Sequence, residues 1–296
     1  DIIKGKKFKL SSNIVFSKYK NEIIKWLGQG SMINENKYTG YVGEGYAYGV
    51  FWEVPQLGIF STQEEINNYS FRNPSSGALS MLQPTAKPGD IKYADTNGDG
   101  IINLSDRTVI GSPHPDFTIG MGVDFTYKNW ALNIFVNSVV GKEVYNSSNV
   151  QLMNTWLFNT NKYDEPYGEA TSFSTRVLNR WTPQNPTTNV PKLGSTATNG
   201  LSANLTNIED GSFIRFENIA LSYNFPRKNM KGIKTFSIFG SVQNAFLITA
   251  YRGTDPENNQ PEPGGWATNQ SSSILAYDNF GYPRPIAYTL GLNLNF

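Results

Sequence analysis

One short acidic loop carries six residues whose types and spacing fit calcium chemistry. The loop reads D-T-N-G-D-G-I-I-N-L-S-D from Asp95 to Asp106, which matches the EF-hand type of calcium loop. A hard cation takes about six to eight oxygen ligands, and a glycine at the sixth position allows the sharp turn that brings them together. The predicted ligands are Asp95, Asn97, Asp99, the backbone carbonyl of Ile101, Asn103 and Asp106.

The same spacing also fits a turn without metal. Asp and Asn side chains readily accept hydrogen bonds from backbone N–H groups two or three residues away, so the loop could stabilise itself. Recognisable EF-hand helices do not flank it, and Asp106 is shorter than the usual bidentate Glu. We therefore expect calcium, where it binds, to have a structural role.

Residues for catalysis are sparse, and the sequence predicts no enzyme. The chain has no cysteine and one histidine, His114, which lies between two prolines. This excludes thiolate chemistry and multi-histidine metal centres. Loop carboxylates such as Asp255 with Glu257, or Glu209 with Asp210, lack a spacing that would single out a glycosidase pair.

The overall composition favours short strands over helices. In 296 residues, aromatic side chains make up 14% and glycines number 27, a mixture typical of strands joined by turns. Lys and Arg total 25 against 24 Asp and Glu. This balance gives no electrostatic signature for nucleic acid.

Period-two alternation of apolar and polar residues marks the strands that must support these loops. It is strictest from Ala287 to Phe296, and this length suits a tilted membrane strand of about 9–11 residues. The intervening residues are mostly Thr, Asn, Ser, Gln, Gly and Asp, which suits a wet barrel interior better than a dry sandwich core. The other alternating segments are 8–16, 117–127, 132–137, 219–225 and 236–243.

Connection lengths separate the two ends of these strands. Lys128 and Asn129 form one tight turn and 226–235 a second short one, whereas 140–212 and 247–285 are long. Short turns at one end and long loops at the other are typical of bacterial outer-membrane barrels. Within the loops, a capping box from Ser61 to Glu64 predicts a helical turn, and Thr171 to Trp181 predicts another.

Several motifs follow one another along the chain, and the longest is a run from Lys87 through the acidic loop to Phe117. The further segments are Gly58–Phe60 with Thr62–Ile66, Asn179–Pro183, Ser212–Asn218, Val242–Phe246, Gly253–Glu257 and the terminal strand ending in Phe296. Together these motifs resemble the SusC-like TonB-dependent transporters of Bacteroidota, and the similarity covers nearly the whole chain, most weakly at about 20–45.

This resemblance implies an all-β fold: the C-terminal part of a large antiparallel transmembrane β-barrel of about 22 strands, with long extracellular loops. Residues 1–296 would supply about eight to ten of its strands, and the plug domain would lie outside this chain. An open sheet edge is not tolerated in lipid, which agrees with a partial wall.

The resemblance also implies the function and the partners. The whole protein would import a large nutrient, an oligosaccharide or an oligopeptide, across the bacterial outer membrane. It would work with a SusD-like surface lipoprotein, with the TonB complex acting through the absent N-terminal part, and as a dimer of SusC–SusD pairs embedded in outer-membrane lipid.

Aromatic residues in the two long connections are the predicted substrate contacts, because sugar rings pack their C–H faces on aromatic rings. They are Trp156, Phe158, Trp181, Tyr251 and Trp266. The alternative is that these rings pack the loops together.

Two other function classes remain open from the sequence. A passive porin would need neither plug nor TonB. A secreted, calcium-binding, carbohydrate-binding β-sandwich would be soluble without detergent and would have a dry interior.

Overall fold

The computed structural model describes residues 3–5, 7–28, 30–33, 40–153, 173–195, 201, 207–226, 232–258 and 275–295. Antiparallel strands dominate, and within these ranges no helix has the length and apolar character needed to cross a membrane. The strands are β1 (Ile3–Lys4), β2 (Phe8–Ser17), β3 (Ser31–Ile33), β4 (Gly40–Val42), β5 (Val50–Glu53), β6 (Gln56–Ile59), β7 (Ser70–Arg72), β8 (Leu79–Met81), β9 (Ile91–Tyr93), β10 (Thr108–Gly111), β11 (Phe117–Tyr127), β12 (Trp130–Val140), β13 (Glu143–Asn146), β14 (Ile208–Asp210), β15 (Phe213–Asn224), β16 (Thr235–Thr249), β17 (Tyr277–Asp278) and β18 (Ala287–Asn295).

Seven of these strands form one antiparallel sheet, which we call the wall. Its order is β1-β2-β11-β12-β15-β16-β18, so a partial, all-β barrel is confirmed. The number of wall strands is lower than the predicted eight to ten in the described part of the chain. The reason is that the segment between β2 and β11 forms small separate sheets instead of wall strands.

Strand pairing confirms that the predicted apolar residues share one face. Residues directly opposite each other in a sheet point to the same side, so one row across the wall can be followed strand by strand. The apolar row is Phe8, Tyr127, Trp130, Tyr223, Ile238 and Leu292. A row three residues further along the strands, which lies on the opposite face, is Ser11, Asp124, Asn133, Ala220, Ser241 and Thr289.

Pairing also fixes the sides on which the connections lie. The turn at Lys128–Asn129 is tight, with Tyr127 opposite Trp130, and Lys128 adopts a φ of 53° there. Three long connections lie at the other end: the first (18–116), the second (141–212) and the third (250–286). The first was not predicted as a long connection, because it contains short strands of its own, which form small separate sheets.

The buried core lies in the connections. One cluster joins Val54, Ile59, Ile91 and Ile102, and Trp181 packs against it. A second joins Phe51 and Val144 to Tyr251 and Tyr277, and therefore links all three connections. On the wall, by contrast, Leu290 is 82% exposed and Tyr288 78% exposed, so a dry sandwich interior is absent from the described residues and that alternative is wrong.

The two predicted helical turns are short. Helix α1 spans Gln63–Asn68, and its N-cap is Thr62 instead of Ser61, because the Thr62 hydroxyl accepts a hydrogen bond from Glu65 N at 3.2 Å. A second helix, α2, spans Ser147–Leu152. The helix predicted within 171–181 is a 3₁₀ helix at Thr175–Asn179 in its described part.

Candidate functional site

The acidic loop is folded by its own side chains. Both Asp95 oxygens accept backbone bonds, from Gly98 N at 2.8 Å and Gly100 N at 3.0 Å. Asp99 Oδ1 accepts from Ile101 N at 2.7 Å, and Asn103 Oδ1 accepts from Ser105 N at 2.7 Å. These bonds are the Asx turns of the metal-free alternative.

Asp106 is the buried centre of that loop. Its side chain is fully buried. One carboxylate oxygen accepts from Thr96 N at 2.9 Å, and the other accepts from Asn103 N at 2.8 Å, which closes a capping box. Among the residues that the structure describes, no three His, Asp or Glu side chains converge to hold a metal ion. Calcium binding here stays a prediction.

The predicted aromatic contacts divide into two groups. Trp156, Phe158 and Trp266 lie outside the described residues. Trp181 is half-buried, and its indole N–H donates to the Ser61 carbonyl at 3.2 Å. Tyr251 is 6% exposed and donates to Asp278 Oδ2 at 2.7 Å, and burial raises the pKa of its phenol. Trp181 therefore joins the second connection to the first, whereas the Tyr251–Asp278 bond lies within the third connection. The Tyr251 ring meets the other two connections through its cluster with Phe51 and Val144.

An open cavity of about 850 Å³ lies where the three connections meet, and clefts of this size with both apolar and polar linings are where ligands commonly bind. Its apolar lining includes Val109, Ile110 and Ile208. Its polar lining includes Glu143, Asn149, Arg176, Asn179, Asn207 and Arg252. Sequence reasoning missed this site, because its residues come from distant segments without a common motif.

Hydrogen bonds hold the cationic groups of the cavity in place. Arg176 Nη2 donates to Asn149 Oδ1 at 2.7 Å, and the Asn149 amide donates in turn to Asn207. Arg252 Nη2 donates to Glu209 Oε1 at 3.1 Å, yet its side chain remains 56% exposed. Burial raises the pKa of the Glu143 carboxyl, which accepts a bond from Ser112 N at 2.7 Å. Anchored guanidinium and amide groups beside an apolar surface can bind hydroxyl, amide or carboxylate groups.

A buried ion-pair cluster fixes the third connection to the wall. Arg215, on β15, donates through Nη2 to Asp255 at 2.7 Å and through Nε to Glu257 at 2.8 Å. Arg215 and Asp255 are each 3% exposed. Both carboxylates are thus engaged in structural ion pairs. His114 also makes a structural contact, with Nε2 at 2.8 Å from the Tyr48 carbonyl oxygen.

Comparison with known proteins gives a consistent group of relatives. No family model matches the chain. TonB-dependent receptor P26 of Formosa agariphila is 32% identical over 299 residues, 98% of this chain and 27% of that protein. TonB-dependent receptor SusC of Bacteroides thetaiotaomicron is 25% identical over 224 residues, 73% of this chain and 18% of that protein. The chain thus spans about a quarter of the length of these relatives or less.

A solved structure has the same fold. The structure described as the RagAB peptide transporter matches 100% of this chain and 28% of its own, with a TM-score of 0.68 and 20% identity. At this identity the match supports the architecture alone.

Proposed function

The chain is the C-terminal barrel portion of a SusC-like TonB-dependent receptor of the outer membrane, and on that premise we propose that the whole protein imports a large nutrient. The observation that carries the proposal is the likeness to TonB-dependent receptors along 98% of the chain. We also propose that the receptor pairs with a SusD-like surface lipoprotein, that the TonB complex energises it, and that two receptor–lipoprotein pairs form a dimer.

Energised import can be tested on the complete receptor in its own cells. Uptake of labelled oligosaccharides and oligopeptides should disappear when the receptor gene is deleted, and also when a protonophore collapses the gradient that drives TonB. Uptake that survives the protonophore would instead support the passive porin.

We propose substrate contact at the cavity, with Trp156, Phe158 and Trp266, which lie outside the described residues, as further proposed contacts. Support comes from the exposed guanidinium of Arg252, which forms an ion pair on one side and faces the cavity on the other. Oligosaccharide and oligopeptide both present groups that such a donor binds.

Replacing Arg252 with glutamine should reduce uptake about tenfold or more, because a charge-assisted hydrogen bond contributes roughly 1.5–3 kcal/mol and each 1.4 kcal/mol is a factor of ten. Receptor abundance should change little, since Arg252 is itself 56% exposed and the buried Glu209 carboxylate keeps its bonds from the Asn146 amide and the Arg252 backbone N–H. Arg72→Gln is the matched control, because Arg72 is exposed and bonds the Gly77 carbonyl, away from the cavity. Equal uptake by both variants would show that Arg252 does not contact the substrate.

Calcium in the acidic loop is proposed as a structural cofactor. Each carboxylate oxygen has a second lone pair beside its turn bond, so the loop could still coordinate a cation. Calorimetry of the purified receptor should show heat of calcium binding in the millimolar range or below, and Asp95→Ala should abolish it. The absence of that heat would leave the metal-free turn.

A further inference from the structure

An apolar groove lies on the outer face of the wall, at the end with the short turns. Its volume is about 410 Å³. Aromatic rings follow one another along it: centroids are 4.8 Å apart for Trp130 and Tyr223, and 4.9 Å apart for Tyr223 and Phe225. Phe225 stacks in turn on Phe236 at 4.6 Å. The groove is lined by Trp130, Leu221, Tyr223, Phe225, Ile238, Phe239 and Gly240.

Gly240 creates the floor of this groove. It pairs with Leu221 on β15 and Leu290 on β18, so a side chain would be expected at this point of the apolar row. A Cβ added there would meet only the Thr289 carbonyl oxygen, at 3.9 Å. The missing side chain therefore leaves real space, which a flexible hydrocarbon chain can fill.

Lysines border the same end of the wall. Lys128 lies two residues before Trp130, and Lys234 lies two residues before Phe236. Both are exposed, and neither forms an ion pair with any acid in the described part of the chain. Lys128 Nζ lies 5.3 Å from the Tyr127 ring centroid, and the backbone N–H of Lys128 donates to the Lys7 carbonyl at 2.9 Å. The turn 226–235 adds further Arg and Lys residues in sequence and no acid.

We infer that this end of the wall binds an anionic phospholipid of the periplasmic leaflet, with one acyl chain in the groove over Gly240 and the phosphate at Lys128 and Lys234. The wall faces outer-membrane lipid, and short turns mark the periplasmic side of such barrels. A neutral lipid would fill the apolar space but would leave the positive charge unmatched. Aromatic rings with an apolar body and a polar edge suit this depth in the membrane.

The inference can be tested with the complete receptor in phosphatidylcholine nanodiscs. One set of nanodiscs contains a small fraction of anionic phosphatidylglycerol and the other the same fraction of zwitterionic phosphatidylethanolamine. Both added lipids are brominated on the acyl chain, so that a bound lipid quenches the fluorescence of a nearby tryptophan. Subtracting the signal of the Trp130→Phe variant isolates Trp130. Phosphatidylglycerol should bind about fivefold more tightly or better, since each lysine near the surface adds roughly 1 kcal/mol for an anionic lipid.

Three variants distinguish a lipid bound in the groove from a general electrostatic attraction of anionic lipid to the lysines. Lys128→Gln combined with Lys234→Gln should erase the preference, and so should Gly240→Val, which fills the groove while leaving both lysines in place. Lys18→Gln is the control, because Lys18 follows β2 at the other end of the wall. Equal quenching by both lipids in the wild type, an unchanged preference in Gly240→Val, or a loss in Lys18→Gln would each overturn the inference.

Discussion

Replacing Arg215 with methionine should release the third connection from the barrel wall. Methionine keeps the volume but removes the guanidinium that Asp255 and Glu257 bind, and Asp255 would remain buried with an unpaired charge. Breaking a buried pair in this way costs about 3–5 kcal/mol. At 1.4 kcal/mol per tenfold, the open state should become roughly 10²- to 10³-fold more populated. Hydrogen–deuterium exchange of 250–258 in the intact receptor measures this directly.

A matched pair of variants tests the cause. Arg284 also approaches Glu257, at 3.3 Å, but its side chain is 44% exposed, so Arg284→Met should raise exchange only severalfold. Adding Asp255→Asn to Arg215→Met should restore part of the protection, because the asparagine oxygen can still accept the Glu257 N–H bond without a charge. Equal exchange in Arg215→Met and Arg284→Met would contradict the buried-charge explanation.

The wall could be predicted from the sequence because alternation records which solvent each face meets. Membrane strands must alternate lipid-facing and interior side chains, so 117–127 could be read residue by residue and agrees with β11. The ends of the strands could not be predicted from alternation, because β16 extends to Thr249, past the last alternating residue.

A paired β-bulge explains the break in alternation. Phe216 pairs with Phe246, and Asn218 pairs with Gln243, so Glu217 on one strand and Asn244–Ala245 on the other are inserted between these pairs. Asn244 has a φ of 52° there. The insertion shifts the phase by one residue and returns Phe216 to the apolar face opposite Val136. A fixed period of two cannot anticipate such a shift.

The cavity and the Arg215 cluster were beyond sequence reasoning for a different reason. Both depend on contacts between segments some 40 or more residues apart, such as Arg215 with Asp255. A signal did exist: Arg215 is a charged residue within an otherwise alternating strand, and two acids stand in the motif 253–257. A charge placed where burial is expected requires a partner, and those acids were available.

Replacing Asp106 with alanine should unfold the acidic loop. Its carboxylate accepts bonds from the backbone N–H groups of Thr96 and Asn103, with Asn97 N a further 3.4 Å contact, at a site without solvent access. Each bond to a charged acceptor contributes about 1.5–3 kcal/mol. The loss of at least two such bonds, roughly 3 kcal/mol or more, should raise hydrogen exchange across 95–106 by two orders of magnitude or more.

Asp99→Ala is the matched control, and it separates a structural carboxylate from a metal ligand. Asp99 is exposed and accepts from Ile101 N and from the Asn97 amide, both within its own turn, so its loss should cost about 0.5–1.5 kcal/mol. In calcium-free buffer the Asp106 variant should therefore exchange far faster than the Asp99 variant. If the two variants exchanged at the same rate without calcium, the burial argument for Asp106 would be wrong. If their exchange rates became equal only when calcium was added, the metal would be the main source of loop stability, and the backbone bonds to Asp106 would be secondary.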